Sequence, residues 1–504
     1  MKILLIYPPG FNQSHYVNTP FIDVYPPIGL FYLNSFLLQN GYDCKVYDFF
    51  FDTWSYIEVV LREENADIIG ISCLSETRQN SLKLISLIRK IDKKTKIIFG
   101  GHHSTHMYEQ LLNYYEIDYV VLGEGEIKLL NLLKVIEGKL PLESVKGIAY
   151  KINGRVIKNG SHLDDLIIDL DSLPFPYSEA QLALFKKYLP ILYRYPIEVE
   201  HLSQFSEIYE KGKCAMIATS RGCPFNCKFC AAPVFWGNKY RLRSPENIVD
   251  EIEFYHKTLG ILFFKILDST FTLIPERSIQ VCKELVNRNL KIFFECFSRP
   301  ESITEDLVLW LKKAGCICIS LGVESGSKKI LNTINKSSTL GTIIKSFSII
   351  NKYNLLAEPF LMVGNPGETD ATIKKTISLL RLIKPQRIRI SKTSLLPGTD
   401  LYRIAKEQGF IDDNFWLTQK PRKYYTYENS LKTLKKWEIS LIYYEKRKFQ
   451  LNILKLLFRV KSFVNSLFVR GFHSKLYSLK VFSNSYLNRF YLMINVKIKK
   501  RFNL

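Results

Sequence analysis

The chain alternates short, β-rich apolar runs with stretches of helical periodicity, and it does so twice over its 504 residues. Through roughly the first 140 residues, this alternation predicts a doubly wound parallel sheet, because parallel strands need helical crossovers between them. The predicted strands are Lys2–Tyr7, Cys44–Tyr47, Asp67–Ser72, Lys96–Phe99 and Tyr119–Leu122, and the predicted helices are Ile28–Gln39, Asn80–Ile91 and a third that ends near Ile136.

The loops that follow these strands are the expected ligand-binding elements. Ligands of such sheets bind in the crevice beyond the carboxyl ends of the strands, where the loops lie. Four loops meet this condition, namely Tyr7–Gly10, Ser72–Thr77, Gly100–Thr105 and Gly123–Glu126.

A second alternation begins near Lys213 and predicts an open or partial (β/α)6 barrel. The chemistry of such a barrel belongs at the carboxyl ends of its strands. The predicted strands are Cys214–Ala218, Ile261–Leu267, Lys291–Cys296, Cys316–Leu321, Pro359–Val363 and Arg387–Ile390, and the predicted helices are Pro245–Tyr255, Pro275–Arg288, Glu305–Ala314, Lys328–Leu331 and Asp370–Ile383.

These patterns divide an α/β chain into four parts. Residues 1–140 are predicted to form a Rossmann-like domain, residues 211–425 the partial barrel, and residues 426–504 a basic, aromatic-rich helical region. The intervening residues 141–210 are predicted to be a linker with a small hairpin, whose turn is Asn153-Gly154.

The net charge of +22 is concentrated in the last part of the chain. From Leu431 onward, seventeen Lys and Arg stand against two acids, Glu438 and Glu445. Stretches such as Leu451–Val464 place apolar residues at helical spacing with basic residues between them. This pattern fits a helix on an anionic membrane surface and fits equally a helical cap with a solvated basic face. Nucleic acid is disfavoured, because the aromatics do not recur as a stacking platform.

Ten cysteines are too few for a disulfide scaffold in a chain of this length. No apolar run reaches the roughly 18 residues of a membrane span, and the apolar start of the chain lacks the cleavage site of a signal peptide. We therefore expect a cytoplasmic protein, peripheral to the inner membrane face if the tail binds lipid. In that reducing compartment, clustered cysteines point to a metal or to catalysis.

Three cysteines form such a cluster directly after the first barrel strand. Cys223, Cys227 and Cys230 lie within eight residues and can together hold one soft metal centre. An iron–sulfur cubane bound by three thiolates keeps one iron without a protein ligand. Structural thiols or a zinc site remain the alternatives, but zinc would need a fourth ligand at a matching spacing.

The Cys-x3-Cys-x2-Cys spacing, with an aromatic before the last cysteine, resembles the radical S-adenosylmethionine (SAM) superfamily. The run from Ala218 to Pro224 is similar to the segment that precedes and enters this motif in that family. Further landmarks follow in order at successive strand ends: Leu267–Thr272, Ser298-Arg299, Gly322–Gly326, Gly364–Glu368 and Leu396–Tyr402.

The resemblance implies that SAM chelates the open iron of a [4Fe–4S] cluster and is cleaved to a 5′-deoxyadenosyl radical. By position in the motif, Phe229 is expected to pack on the adenine and Asp268 to contact the methionine ammonium. Arg299 is expected to pair with the SAM carboxylate. Glu324 and Ser325 are expected at the ribose and methionine polar groups, and Gly364 at a backbone turn against the adenine.

The first domain resembles the cobalamin-binding domain that precedes the barrel in a subset of this superfamily. Pro26–Leu30 contributes to the resemblance, and so do the Gly100-Gly101-His102 turn and the Gly123-Glu124-Gly125-Glu126 loop. Ser72-x-Leu74, followed by Gly100-Gly101, matches the half of the cobalamin motif that binds the nucleotide tail. The resemblance thus implies cobalamin contacts at Ser72, Leu74, Gly100, Gly101, Gly123 and Glu124. The alternative is a flavodoxin-like domain without a cofactor.

The usual cobalt-ligating histidine has no clear counterpart. In the classical cobalamin motif it comes from Asp-x-His-x-x-Gly after the first strand, whereas His15 lacks the flanking Asp and Gly. We expect the base of cobalamin to be detached, with no protein histidine on the lower face of the cobalt. His102 and His103 are expected near the tail pocket and not as metal ligands.

The resemblance implies a cobalamin-dependent radical SAM methyltransferase. The radical would remove a hydrogen atom from an unactivated carbon, which then takes a methyl group from methylcobalamin. An oxidative cyclase or ring-rearranging enzyme is the nearest alternative. A tRNA methylthiotransferase would need three further cysteines in the first domain, which has only Cys44 and Cys73. A non-catalytic cobalamin-binding protein would not need the cysteine cluster.

The implied partners follow from this chemistry. The substrate class stays open among small molecules, lipids and peptides. The resemblance implies an electron donor of the flavodoxin or ferredoxin type.

Overall fold

A computed structural model describes residues 1–10, 26–178, 214–418, 420 and 423–444. In this part of the chain, no helix combines the length and the apolar composition that crossing a bilayer requires.

The first domain is built on a seven-stranded sheet in the order β2-β1-β3-β4-β5-β6-β7. The first five strands along the chain pair in parallel, and β6 and β7 add to the edge in antiparallel. The strands are β1 (Lys2–Tyr7), β2 (Asp43–Asp48), β3 (Ile68–Ser72), β4 (Lys96–Gly100), β5 (Tyr119–Val121), β6 (Ile148–Ile152) and β7 (Arg155–Asn159). The helices are α1 (Ile28–Gln39), α2 (Trp54–Glu64), α3 (Arg78–Ile91), α4 (His102–Tyr114) and α5 (Glu126–Ile136).

Both faces of this sheet are buried, as expected of a parallel sheet covered by helices. Successive residues of a strand point to opposite faces. Accordingly, Ile3 and Leu5 of β1 belong to one apolar core, whereas Leu4 and Ile6 belong to the other. The doubly wound prediction for this domain is therefore confirmed.

The predicted hairpin exists, but it does not lie in a linker. β6 pairs with β5, with Tyr119 opposite Tyr150, so the hairpin completes the sheet of the first domain. The predicted boundary at residue 140 was therefore too early. The sequence shows a hairpin turn but not its long-range partner, because edge pairing depends on where β5 lies. Residues 179–210 of the predicted linker lie outside the described residues.

The second domain is an open sheet of six parallel strands in the order β15-β14-β13-β12-β11-β8, as predicted for a partial barrel. Its strands, together with the separate antiparallel pair β9 and β10, are β8 (Cys214–Ile217), β9 (Ser220–Arg221), β10 (Arg241–Leu242), β11 (Phe263–Ile266), β12 (Phe293–Ser298), β13 (Cys316–Glu324), β14 (Leu356–Val363) and β15 (Arg389–Lys392). The helices are α6 (Ala232–Trp236), α7 (Pro245–Leu259), α8 (Pro275–Asn287), α9 (Glu305–Lys313), α10 (Lys328–Thr333), α11 (Leu340–Lys352), α12 (Asp370–Ile383), α13 (Asp400–Glu407) and α14 (Leu431–Ile442).

Helix α14 belongs to the barrel and not to a separate C-terminal region. Leu434, Trp437 and Leu441 are buried in the barrel core, and the Trp437 indole donates to Asp370 Oδ1 at 2.5 Å. The predicted boundary at residue 426 was wrong for this helix, because its apolar stripe packs against the barrel. Residues 445–504, which hold most of the basic tail, lie outside the described residues.

A buried ion-pair network joins the two domains. Arg221 donates to Glu124 Oε2 at 3.0 Å and to Glu126 Oε1 at 2.6 Å, and Arg241 donates to both oxygens of Glu124. All four side chains are at most 9% exposed. Burial opposes ionisation of Glu126, but the Arg221 guanidinium outweighs it and lowers the pKa of this carboxyl. Two cations and two anions thus cancel between the domains. We call these four residues the clamp.

Histidines fill another part of the domain interface. The ring centroid of His102 lies 4.9 Å from that of His106 and 6.1 Å from that of Phe235 in the barrel domain. His162 Nε2 lies 2.8 Å from the carbonyl oxygen of Val234. Burial lowers the pKa of His102 to about 4 and that of His106 to about 3. Both rings are therefore neutral near pH 7.

The packing of α14 predicts a large difference between two leucines of the same helix. Leu434→Ala removes a fully buried side chain and should lower the free energy of unfolding of the barrel domain by about 2–5 kcal/mol. Leu431 is 51% exposed, and Leu431→Ala should change it by no more than about 0.5 kcal/mol. Urea unfolding, followed by tryptophan fluorescence, measures both. Equal effects would show that α14 is not part of the core.

The clamp predicts a strong effect of removing one charge. Glu124→Gln leaves two buried arginines without full compensation and should destabilise the protein by about 3–5 kcal/mol. Glu137→Gln makes the same change at an exposed position just after α5 and serves as the control. Thermal and urea unfolding compare the two variants. A Glu124→Gln protein as stable as the control would contradict the account of the clamp.

The buried histidines predict a loss of stability in mild acid. Their folded pKa values lie below the roughly 6.5 of an unfolded histidine, so the unfolded chain binds more protons below that pH. Their contribution is complete above about pH 6.5 and falls as the pH drops towards 4. The double variant His102→Gln/His106→Gln should show a shallower dependence of the urea midpoint between these pH values. An unchanged slope would exclude these two histidines as its source.

Candidate active site

A cavity of about 480 Å³ opens at the carboxyl ends of β1, β3, β4 and β5. The structure brings all six residues of the predicted cobalamin set to its wall: Ser72, Leu74, Gly100, Gly101, Gly123 and Glu124. The opposite wall comes from the barrel domain and consists of Arg221, Phe235, Trp236 and Leu267. The cavity therefore lies between the two domains, where the carboxyl ends of both sheets meet.

Two glycines of this wall, Gly101 and Gly123, occupy positions where a side chain would not fit. Gly101 has φ +97°, and a Cβ atom there would lie 3.0 Å from the carbonyl oxygen of Cys73. Gly123 has φ +72°, and its Cβ atom would lie 2.3 Å from the carbonyl oxygen of His162. A Cβ atom at Gly100 would come no closer than 3.9 Å to another heavy atom, the carbonyl oxygen of Val121. A wide, mostly apolar cavity with bare backbone at the strand ends fits a nucleotide-tailed cofactor such as cobalamin.

Glu124 lines this cavity, but its carboxylate is engaged elsewhere. Both of its oxygens accept hydrogen bonds from arginines of the clamp. The side chain therefore holds the domains together, and the loop backbone is what remains for a ligand. His102 and His103 lie at the domain interface, His103 edge-on to Trp416. His15 lies outside the described residues.

The cysteine loop begins one residue after β9 and is held rigidly at both ends. Gly222, with φ +96°, starts it, and a Cβ atom there would lie 2.0 Å from the carbonyl oxygen of Lys239. The Lys228 amide donates to the Ile334 carbonyl at 3.0 Å, and Asn335 Nδ2 donates to the Asn226 carbonyl at 2.7 Å. These bonds tie the loop to the end of α10.

The three cysteines of this loop are free and largely shielded. Burial raises the pKa of the Cys223 thiol, and it raises the pKa of the Cys230 thiol to about 11. A positive metal centre would therefore be needed to hold Cys223 and Cys230 as thiolates at neutral pH.

The arrangement of the thiols distinguishes a cluster from a single ion. Among the residues that the structure describes, no three His, Cys, Asp or Glu side chains converge on a point that would hold one metal ion. A cubane makes no such demand, because each of its cysteines binds a different iron atom. The loop therefore fits an iron–sulfur cluster better than the zinc alternative.

Asp268 is at the expected strand end, but its carboxylate is saturated. It accepts hydrogen bonds from the amides of Thr219 and Ser220 at 2.7 and 3.2 Å, and from their hydroxyls at 2.5 and 2.6 Å. Four donors leave little capacity for a methionine ammonium group. This geometry disfavours the predicted SAM contact and indicates that Asp268 fixes the chain that leads into the cysteine loop.

Arg299 lies against the cysteine loop. Its Nη1 atom is 3.8 Å from Cys227 Sγ, and its guanidinium lies 3.7 Å above the ring of Phe225. Its Nη2 atom donates to Ser337 Oγ at 2.7 Å. The predicted contact to the SAM carboxylate would have to compete with these partners.

Glu324 and Ser325 end β13 as predicted, and they differ in what they offer. Glu324 has φ +61° and lies 3.1 Å from the Lys336 ammonium group. The Ser325 hydroxyl accepts from the Ser327 amide at 3.2 Å and lies 3.4 Å from Thr376 Oγ1. Glu324 with Lys336 can therefore form a charged pair beside the cysteine loop, whereas the Ser325 hydroxyl is used within the fold.

Two further predicted contacts face other parts of the protein. Gly364 has φ +91° and starts a turn whose amides donate to Glu368 Oε2, and a Cβ atom there would lie 2.7 Å from Leu434 Cδ1. Phe229 packs against an apolar cluster that includes Leu401 and Trp416. The turn is thus backed by α14, and the Phe229 ring helps to anchor the cysteine loop.

Sequence reasoning missed Lys336, Thr219 and Ser220. Thr219 and Ser220 lie within the run from Ala218 to Pro224 that resembles the family motif, so the sequence offered a reason to consider them. The sequence offered no such reason for Lys336. Its spacing does not indicate that the chain after α10 brings its ammonium group close to Glu324.

Comparison with known families assigns both domains. The family model described as B12 binding domain matches residues 17–133, and the model described as Radical SAM superfamily matches residues 217–380.

Curated relatives span both domains as well. An uncharacterised methyltransferase of Pyrococcus horikoshii is 28% identical, with 86% of this chain and 88% of the relative covered. An anaerobic magnesium-protoporphyrin IX monomethyl ester cyclase of Rubrivivax gelatinosus is 27% identical over 80% of this chain and 70% of its own.

A solved structure shares the architecture. It is that of the cobalamin-dependent SAM radical enzyme OxsB with aqua-cobalamin bound, at a TM-score of 0.69 and 18% identity, covering 99% of this chain and 80% of that one. At this identity the likeness is one of fold.

The order of the two domains, the cysteine loop and the shared cavity agree with these matches. The family models thus assign B12 binding to the first domain and membership of the radical SAM superfamily to the second. The chain belongs to the radical SAM enzymes that carry a B12-binding domain.

Proposed function

We propose that this enzyme transfers a methyl group to an unactivated carbon. The observation that carries the proposal is the cavity that residues of both domains line. Gly100 and Gly123 line it from the B12-binding domain, and Trp236 and Leu267 line it from the barrel domain, six residues after Cys230 and one before Asp268. The wall of the cavity on the barrel side thus consists of residues that are close in sequence to the cysteine loop and to the end of β11.

The residues of the chain divide the work between binding and shielding. Cys223, Cys227 and Cys230 would hold the cluster, and the loops after β3, β4 and β5 would hold cobalamin. When bound, these groups supply a carbon-centred radical that removes a hydrogen atom and a methyl group that replaces it. Phe235, Trp236 and Leu267 provide the apolar wall of the cavity on the barrel side and would keep water from the radical path.

Oxidative cyclisation is the second candidate, since the cyclase of Rubrivivax gelatinosus is nearly as similar as the methyltransferase of Pyrococcus horikoshii. A methylthiotransferase is disfavoured by the first domain. Cys44 and Cys73 lie in separate apolar cores, and burial raises their pKa values to about 12 and about 11. They are therefore unsuited to share a second cluster. A non-catalytic binding protein would leave the cysteine loop unexplained.

We propose further that the enzyme works in a reducing cytosol with a flavodoxin- or ferredoxin-type reductant. All ten cysteines are free, in agreement with such a compartment. The substrate remains open among a small molecule, a lipid and a peptide. Contact of the basic tail with an anionic membrane surface would favour a lipid.

Product analysis tests the reaction. The protein is reconstituted anaerobically with iron, sulfide, hydroxocobalamin and dithionite, then incubated with SAM and an extract of its own cells. Methyl transfer should yield 5′-deoxyadenosine together with S-adenosylhomocysteine and a product heavier by one methylene group. Formation of 5′-deoxyadenosine without S-adenosylhomocysteine would favour cyclisation, and the absence of both would refute the radical mechanism.

Replacing any of the three cysteines should remove the cluster without removing cobalamin. In Cys223→Ala, Cys227→Ala and Cys230→Ala proteins, the visible absorbance of the cluster and the formation of 5′-deoxyadenosine should disappear. Bound cobalamin should remain, because its cavity lies mainly in the first domain. Cys44→Ala, which removes a buried thiol far from the loop, is the matched control and should keep its iron. Retention of a full cluster in the loop variants would contradict the assignment.

A further inference from the structure

We propose that Arg299 is a positioning residue that raises the reduction potential of the cluster through its contact with Cys227. The inference rests on the iron–sulfur cluster of this family and is independent of whether the reaction is methyl transfer. It also replaces the role that the sequence predicted for this arginine, which was to bind the SAM carboxylate.

The contact has the geometry of an N–H···S hydrogen bond. Nη1 of Arg299 lies 3.8 Å from the sulfur of Cys227, and both residues are buried, at 5% and 9% exposure. The arginine stands directly after β12, at the carboxyl end of the barrel sheet. A permanent cation is thus placed beside a cluster ligand and away from bulk water.

The other contacts of Arg299 hold this orientation. The guanidinium lies 3.7 Å above the ring of Phe225, which is in the cysteine loop itself, so Arg299 packs against a second residue of that loop. Nη2 donates to Ser337 at 2.7 Å, and Nε donates to Glu301 at 3.2 Å. Every nitrogen of the planar group has a partner, and rotation towards another ligand would break several contacts at once.

This placement favours the reduced cluster. One-electron reduction would add negative charge to a cluster that is held by the thiolates of three cysteines. A hydrogen bond and a positive charge at one of the sulfurs stabilise that added charge, and such contacts tune iron–sulfur potentials. Without Arg299, the cluster should be harder to reduce.

The test is a redox titration of the full-length, iron-loaded protein without SAM. The paramagnetic signal of the reduced cluster is followed under anaerobic conditions with mediator dyes. In Arg299→Gln, the ratio of reduced to oxidised cluster at the parent's midpoint should fall about tenfold, which is a shift of about 59 mV to more negative potential for one electron. Ser337→Ala, which loosens the guanidinium, should shift the midpoint in the same direction but less. Arg299→Lys, which keeps the charge without the planar group, should lie between the parent and Arg299→Gln.

The matched control is Arg403→Gln, which removes the same charge from an exposed side chain of α13. Arg403 lies two residues after Leu401, whose amide donates to the Lys228 carbonyl of the cysteine loop. Its midpoint should equal that of the parent. An unchanged midpoint in both Arg299→Gln and Ser337→Ala would overturn the proposal. The proposal would also be overturned if Arg299→Gln bound SAM more weakly while its midpoint potential stayed unchanged. That result would indicate that Arg299 pairs with the SAM carboxylate. If Arg299→Gln loses its iron, the midpoints of Ser337→Ala and Arg299→Lys decide.

Discussion

The buried clamp of Glu124, Glu126, Arg221 and Arg241 is the interaction on which the rest of the architecture depends. Four charges without water are tolerated only when each finds its counterion, so few relative positions of the two domains are acceptable. We infer that the clamp specifies domain orientation more than it adds stability. Because Arg221 stands two residues before Cys223, the same contacts that orient the domains also position the start of the cysteine loop.

The site is held together by residues that a family motif would assign to ligands. Asp268 bonds Thr219 and Ser220, and Ser325 is engaged near Thr376. Their polar groups stabilise the irregular chain at the strand ends, where the backbone leaves the sheet and loses its regular partners. What remains for cofactors is bare backbone at glycines, three thiols, and the charged groups of Arg299, Glu324 and Lys336.

Much of the fold was predictable from local pattern. Helix α1 has the predicted bounds, and the strand ends of the first domain converge on one cavity as expected. Helix α2 was missed although its signal was present, since Thr53 caps it and Ile57, Val60 and Leu61 recur at helical spacing. The predicted loop Gly100–Thr105 is too long, because β4 ends at Gly100, α4 begins at His102, and only Gly101 lies between them. The two glycines suggested a ligand-binding loop at the place where helix α4 begins.

Spacing within the sequence determined the two-domain α/β plan, the cysteine loop, and the strand ends at which ligands would bind, because these follow from local periodicity and from chain direction in parallel sheets. Only the tertiary structure decided that the hairpin closes the first sheet, that α14 joins the barrel, and that Arg299 contacts a cysteine. All three features depend on contacts between residues that are far apart in the chain. The strength of such a contact is set by distance and burial in three dimensions, and a local residue pattern contains neither.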